Sequence, residues 1–259
     1  MAPLPAIVLA ALAAAAAWAA GSLTVSGAAA AALVGIGILG GSGWPGAAAL
    51  AAFFVSSNIV SRLGPKRPGT GDAKGDRRDY RQVLANGGPA ALGALVGRDD
   101  PSLASWLVTA SLAAAAADTW ATSVGAWSRA MPRHLLTWRT VPPGTSGGIT
   151  LLGCLGAVGG ALIVAGAASL TGHDPRLWAA AAIGFLGMIV DSALGAAVQG
   201  RFRCPACGEA SEWRRHRCGT TTIREGGWQW LDNDGVNALA TSLAALAGWA
   251  SWAWLSASL

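Results

Sequence analysis

Eight apolar stretches, near residues 4–20, 26–41, 44–61, 83–97, 102–126, 147–171, 177–199 and 234–257, take up most of this chain. A helix that crosses a bilayer needs roughly 20 apolar residues, so several of these are short or must tilt. They predict an all-α, polytopic membrane helix bundle of about eight spans, within a range of about seven to nine. Residues 1–259 are read as a single transmembrane domain, with a polar loop at 200–233. Charge density agrees, since only 12% of the residues are charged where a soluble domain carries about a quarter. Ala and Gly dominate the stretches, and such helices pack backbone to backbone in lipid. The aromatic residues are mostly Trp, 13 of them, and Trp favours the membrane–water interface. Met1–Ala20 has no basic lead-in and merges into the second stretch, so it reads as a span and not as a cleaved signal. No internal repeat is visible.

Loop charge orients the bundle. The segment 62–81 holds Arg62, Lys66, Arg67, Lys74, Arg77, Arg78 and Arg81. Arg129, Arg133 and Arg139 follow in 128–146, and Arg201, Arg203, Arg214, Arg215, Arg217 and Arg224 in 200–233. Only Arg98 and Arg176 fall in the other connections. An even number of spans puts the three basic segments on one face, which the positive-inside rule makes cytoplasmic, with both termini outside. A bacterial or archaeal inner (plasma) membrane is the expected location.

Charge asymmetry of this kind is common in multi-span proteins, but here the polar motifs gather at the same face. In "ADTWATSVG" (117–125) a carboxylate, Asp118, stands inside an apolar stretch. Such a group costs on the order of 3 to 10 kcal/mol or more in a bilayer, so it reads as functional. Thr122 lies one helical turn on and is expected to share its face, although Thr and Ser also serve as plain helix–helix contacts. In "PPGTSGGITLLG" (142–153), Gly144, Gly147 and Gly148 permit the positive φ angles of an anion nest. Thr145 or Ser146 is expected to cap a helix starting near Ile149, which would aim free N–H groups at a phosphate. The same residues also suit an ordinary capped loop, and no Walker A Lys follows them.

Lys74, Arg77, Arg78 and Arg81 recur three to four residues apart, so a helix would align them in one stripe. Arginine suits phosphate, although a collar for anionic lipid headgroups accounts for the charge equally well. Gln82 and Asn86 continue the polar face into the apolar stretch. In "LDNDGVN" (231–237), Asp232, Asp234 and Asn237 crowd the start of the last stretch. They cap a helix or, with Asp118, offer the oxygen ligands that Mg²⁺ takes. Asp191 in "DSALGAAVQ" is a second embedded acid, with Gln199 two turns on, and Asn58 adds a polar group near another basic-face exit. Acids, arginines and a glycine loop on one face suit Mg²⁺-dependent phosphoryl transfer.

"CPACGEASEWRRHRC" (204–218) has the pattern Cys-x2-Cys-x8-His-x-Cys. Cys204, Cys207, His216 and Cys218 fit a structural Zn²⁺ site of the Cys₃His kind, and a reducing cytoplasm disfavours a disulfide. Cys154 lies in an apolar stretch and reads as a small packed residue.

Taken in order from about residue 26 to the C-terminus, these motifs resemble the transmembrane family that includes plant phytyl-phosphate kinase and many bacterial and archaeal proteins. That family is similar, more distantly, to the CTP-dependent phytol, dolichol and diacylglycerol kinases. There a Gly-Asp motif, a Gly-Ser loop and a late acidic motif serve nucleotide and metal. Asp118, the Gly144–Gly148 loop and Asp232 with Asp234 are the matching positions. The resemblance implies an isoprenyl-phosphate kinase in which Asp118 and Asp234 are catalytic, and the basic stripe adds Arg78 to them. Its donor would be a nucleoside triphosphate, CTP foremost, and its acceptor phytyl or geranylgeranyl monophosphate. Expected partners are that nucleotide, the isoprenyl monophosphate and membrane lipids, with no nucleic acid. Two alternatives stay open: a transporter, since intramembrane acids and broken helices also build transport sites, and another phospho- or nucleotidyl-transferase acting on lipid.

Overall fold

The computed structural model describes residues 3–65, 77–211, 214–216 and 218–257. Every apolar stretch is helical there over most of its length. The helices are α1 (Pro3–Ala19), α2 (Val25–Leu63), α3 (Tyr80–Val96), α4 (Pro101–Gly125), α5 (Leu151–Gly172), α6 (Ala180–Ala197) and α7 (Asn233–Ala257). A 3₁₀ turn, Pro175–Ala179, leads into α6. By length and composition, α2, α5 and the turn-plus-α6 segment each suffice to cross a membrane. The second and third apolar stretches form one element, α2, broken at Gly43, whose φ of 65° and ψ of −146° only glycine adopts easily. Pro45 follows two residues on and supplies no N–H to repair the break. Ser105 donates its hydroxyl to the Ser42 carbonyl there (3.2 Å), which pairs a group that lipid could not satisfy.

Local chemistry sets the helix starts. Asp79 and Gln82 form a reciprocal capping box on α3, and Asp100 caps α4 ahead of Pro101. Asp232 accepts from the Gly235 N–H at the start of α7. The bundle is all-α as expected, and two small sheets form beside it in the polar segments. One pairs β1 (Arg133–His134) with β2 (Gly148–Ile149), antiparallel. The other has the order β4–β3–β5, from Ala210–Ser211, Arg201–Arg203 and Ile223–Gly226.

The centre of the bundle is α4, buried without interruption from Ala104 to Ala117 and packed against α2, α3, α5, α6 and α7. A helix covered on all sides needs no polar face and gains nothing from large lipid-facing side chains, so alanine suffices. Gly153, Gly156 and Gly160 on α5 form a small-residue stripe that admits α4. A Cβ at Gly160 would stand 2.7 Å from Trp120 Cγ and 2.8 Å from the Ala116 carbonyl. Trp106 donates its indole N–H to the Gly248 carbonyl (2.7 Å) and ties α4 to α7, while Thr241 donates to the Ala85 carbonyl (2.9 Å) and ties α7 to α3. Outward positions such as Leu33, Leu92, Leu155, Leu170 and Leu246 are exposed and apolar.

Candidate functional site

Helix ends and polar connections meet at one end of this bundle. Thr24 N–H donates to the Arg78 carbonyl (3.0 Å), Arg62 to the Ala20 carbonyl, and Ser61 and Ser123 share a hydroxyl hydrogen bond (3.2 Å). Two glycines decide what α4 and α6 present there. A Cβ at Gly184 would stand 2.6 Å from Ala113 Cβ, and one at Gly187 would stand 2.5 Å from Ala114 Cβ, so the helices approach closely. Beyond that contact Asp118 and Asp191 share a side-chain hydrogen bond. Asp191 is 9% exposed. Two carboxyl groups in contact need a proton or a cation between them, since both cannot carry unscreened charge. The expected neighbour of Asp118 is different: Thr122 is exposed, because burial of α4 ends at Ala117 and its last turns stand at the open end.

The glycine loop lies against the last turn of α6. Gly147 has φ 76° and sits where a Cβ would come within 2.4 Å of Ala196 Cβ and 2.8 Å of the Ser192 carbonyl. Gly144 is also left-handed (φ 88°), but Gly148 is not; it pairs with His134 in the small sheet. Nor do Thr145 and Ser146 cap α5. Thr150 does, accepting from the Gly153 N–H at 3.0 Å, because strand pairing through Ile149 delays the helix start. The Thr145 hydroxyl closes its own turn on the Pro142 carbonyl (2.7 Å), and the Gly148 N–H bonds the Thr145 carbonyl (2.9 Å). The loop is therefore a tight turn docked on α6, not a helix N-terminus aimed outward.

Gln199, 3% exposed, places its Oε1 3.3 Å from where a Gly195 Cβ would be, beside the Gly147 N–H. Arg201 donates to the Ala196 carbonyl (3.1 Å), at the negative end of the α6 dipole. The end of α6 thus gathers Asp191, the loop at Ser146–Gly147, Gln199 and Arg201, with Asp118 joined from α4. Sequence reasoning counted Arg201 only among loop charges. Its position just past a polar-ended span was the available signal.

A second polar group sits between α3 and α7. Arg81 Nη2 lies 2.7 Å from Asp232 Oδ2, and Arg81 Nε lies 3.9 Å from Asp234 Oδ2. Asp234 and Asn237 are buried on the first turn of α7. The predicted helical arginine stripe does not form, because Asp79 caps the helix and it begins only at Tyr80. Arg77 and Arg78 precede it, and Lys74 lies outside the described residues. Arg78 instead bridges to Leu23 through its backbone and turns inward, its guanidinium 5.6 Å from the centre of the Phe53 ring. Burial pushes its pKa down to about 10, which leaves it charged at neutral pH. Asn58 and Asn86 donate to carbonyls one turn back in their own helices, Phe54 (2.7 Å) and Gln82 (2.9 Å). Asp118 is thus in contact with Asp191, and Asp232 and Asp234 with Arg81. Among the described residues, the one group of three or more His, Cys, Asp or Glu side chains that could hold a metal ion is elsewhere.

That group is Cys204, Cys207, His216 and Cys218, whose ligand atoms lie within 4.8 Å of one another. Hydrogen bonds with Thr220 and His216 bring the Cys218 thiol down to about 6, while the neighbouring Cys204 thiol pushes Cys207 up to about 11.

The sequence profile of the family described as "Integral membrane protein DUF92" matches residues 8–245. "Protein PGR" of Arabidopsis thaliana is 30% identical over 221 residues, covering 73% of this chain and 75% of the relative. "Uncharacterized membrane protein MJ0933" of Methanocaldococcus jannaschii is 32% identical over 148 residues, covering 57% of this chain and 62% of the relative. No solved structure matches.

Proposed function

Because the chain belongs to the integral-membrane DUF92 family, we propose that it is an isoprenyl-phosphate kinase whose active centre is the basic end of the bundle. The observation that carries the reading is the contact of Asp118 with Asp191 beside the docked glycine loop and Arg201. The chain crosses the membrane eight times in this proposal, the two arms of α2 counting separately. Arg-rich connections then face the cytoplasm, and the protein resides in a plasma membrane.

The reaction joins a terminal oxygen of an isoprenyl monophosphate to the γ-phosphorus of a nucleoside triphosphate, CTP foremost. The bond from that phosphorus to the β–γ bridging oxygen breaks, and the nucleoside diphosphate leaves. The attacking oxygen is already anionic, so no strong general base is required. Mg²⁺ fits this centre, since Asp118 and Asp191 are hard oxygen donors held in contact, while Asp232 and Asp234 are already opposed by Arg81. When bound to Asp118 and Asp191, it would supply charge neutralisation for the transferring phosphoryl group. Arg201 and Arg78 add fixed positive charge, Gln199 orients phosphate oxygens beside Gly147, and the Ala/Gly-rich helices leave an apolar path for the isoprenyl chain.

The test uses purified full-length protein in detergent with Mg²⁺, geranylgeranyl or phytyl monophosphate, and CTP, ATP, GTP or UTP in turn. Diphosphate product with one donor, lost in Asp118→Asn and Asp191→Asn, supports the proposal. No product with any donor across several chain lengths would overturn it, and liposome transport assays would then test the transporter.

A further inference from the structure

We propose that the connection between α6 and α7 carries a closed, structural Zn²⁺ site made by Cys204, Cys207, His216 and Cys218. The spacing alone suggests such ligands; the folded backbone supplies independent support by bringing two turns together tip to tip. In the first, β3 turns into β4 through Cys204–Gly208, closed by the Gly208 N–H on the Cys204 carbonyl (2.8 Å) with Gly208 at φ 70°. In the second, Arg215 and Thr221 pair across a turn closed by the Gly219 N–H on the His216 carbonyl (2.8 Å), with Gly219 at φ 88°. Each turn offers two ligands, and each ends on a left-handed glycine that lets the chain fold back beneath them.

The four ligand atoms converge as a metal requires. Cys204 Sγ stands 3.5 Å from Cys218 Sγ, and His216 Nδ1 stands 3.3 Å from Cys207 Sγ and 3.2 Å from Cys218 Sγ. Tetrahedral Zn²⁺ with Zn–S near 2.3 Å sets ligand–ligand edges of about 3.8 Å, close to these separations. A disulfide needs sulfurs about 2.05 Å apart, and these cysteines are free. The far nitrogen of His216, Nε2, lies 3.4 Å from Glu209 Oε2, a carboxylate placed to fix the ring with Nδ1 toward the sulfurs. All four positions are protein ligands, so the site has no open place for substrate and serves structure. A soft, thiolate-rich donor set selects zinc over magnesium.

The site's mechanical consequence lies at the base of the same connection. Trp228 N–H bonds the Val198 carbonyl (2.8 Å) and Gly200 N–H bonds the Leu231 carbonyl (2.9 Å), so the segment starts beside Gln199 and ends beside Asp232. Fixing its tip restrains a segment that presents polar groups to both clusters. This inference does not rest on the kinase reading.

The test is elemental analysis of full-length protein purified with reductant and without chelator. About one zinc per chain is expected, retained in Cys154→Ser and lost in Cys207→Ser and Cys218→Ser. Growth on cobalt should give the thiolate-to-metal absorption of a tetrahedral site. Wild-type protein that is metal-free and takes up neither Zn²⁺ nor Co²⁺ would overturn the proposal, as would a Cys204–Cys218 disulfide found by peptide mapping. Because the wild type decides, a poorly folding variant does not blur the outcome.

Discussion

Asp191 tests the residue scale most directly. If it and Asp118 act as one unit, Asp191→Asn should lower kcat by roughly 10²-fold or more, with an intact helical signal. The double variant should lose little beyond either single one, because groups that act together are not additive. Steady-state rates of the three proteins check this, and a fully additive double loss would separate the two acids. Arg81 makes a contrasting case, since its side chain is 46% exposed against 20% for Asp232. Arg81→Ala is expected to cost about 1 kcal/mol or less in thermal stability, as part-exposed ion pairs do. At this scale the sequence was partly legible. Asp118 stood out as an acid in an apolar run, and the Cys/His spacing marked its four residues. The partner of Asp118 was not legible, because pairing with Asp191 depends on which helix faces which.

At the scale of elements, most helix starts followed local rules, while the arginine stripe and the expected Thr145 or Ser146 cap of α5 did not form. Thr150→Ala should destabilise by about 1 kcal/mol by removing the α5 cap. Thr145→Ala, outside the cap, should lose less, and thermal unfolding in detergent compares them. The 3₁₀ turn before α6 supplies a pH-dependent element. Arg176 lies 2.8 Å from Asp174 and holds its carboxyl below the usual carboxylate range, while also sitting 4.8 Å from the Trp252 ring centre. A depressed folded-state pKa gives stability that is present above the ordinary carboxylate pKa and lost as pH falls through the folded one. Arg176→Ala should therefore unfold earlier than wild type at neutral pH, by about 1 kcal/mol, and the gap should narrow in acid. A gap independent of pH would assign the effect to the Trp252 contact alone. The stripe failed because a capping box at Asp79 outweighed periodicity, and the Thr145/Ser146 cap failed because β1–β2 pairing consumed the residues expected to start α5.

At the scale of the whole molecule, close packing around α4 carries the architecture. Gly184→Leu would drive a side chain into the Ala113 backbone, whose carbonyl carbon already lies 2.7 Å from a Cβ there. Overpacking of this kind costs about 1–3 kcal/mol, and it would part α4 from α6 at the contact that brings Asp118 and Asp191 together one to two turns further on. Loss of turnover should accompany the loss of stability, whereas Leu186→Ala on the exposed side of α6 should change neither by much. The sequence by itself determined that this chain is a helical membrane protein with all its basic residues but Arg98 and Arg176 in three connections. Hydropathy and charge act through composition and short-range spacing, so they need no knowledge of neighbours. Only the tertiary structure decided that α4 is the buried centre, that Asp118 meets Asp191, and that Arg78 turns inward to Phe53. Those outcomes depend on which glycine stripe admits which helix, a matter of contact between segments far apart in the chain.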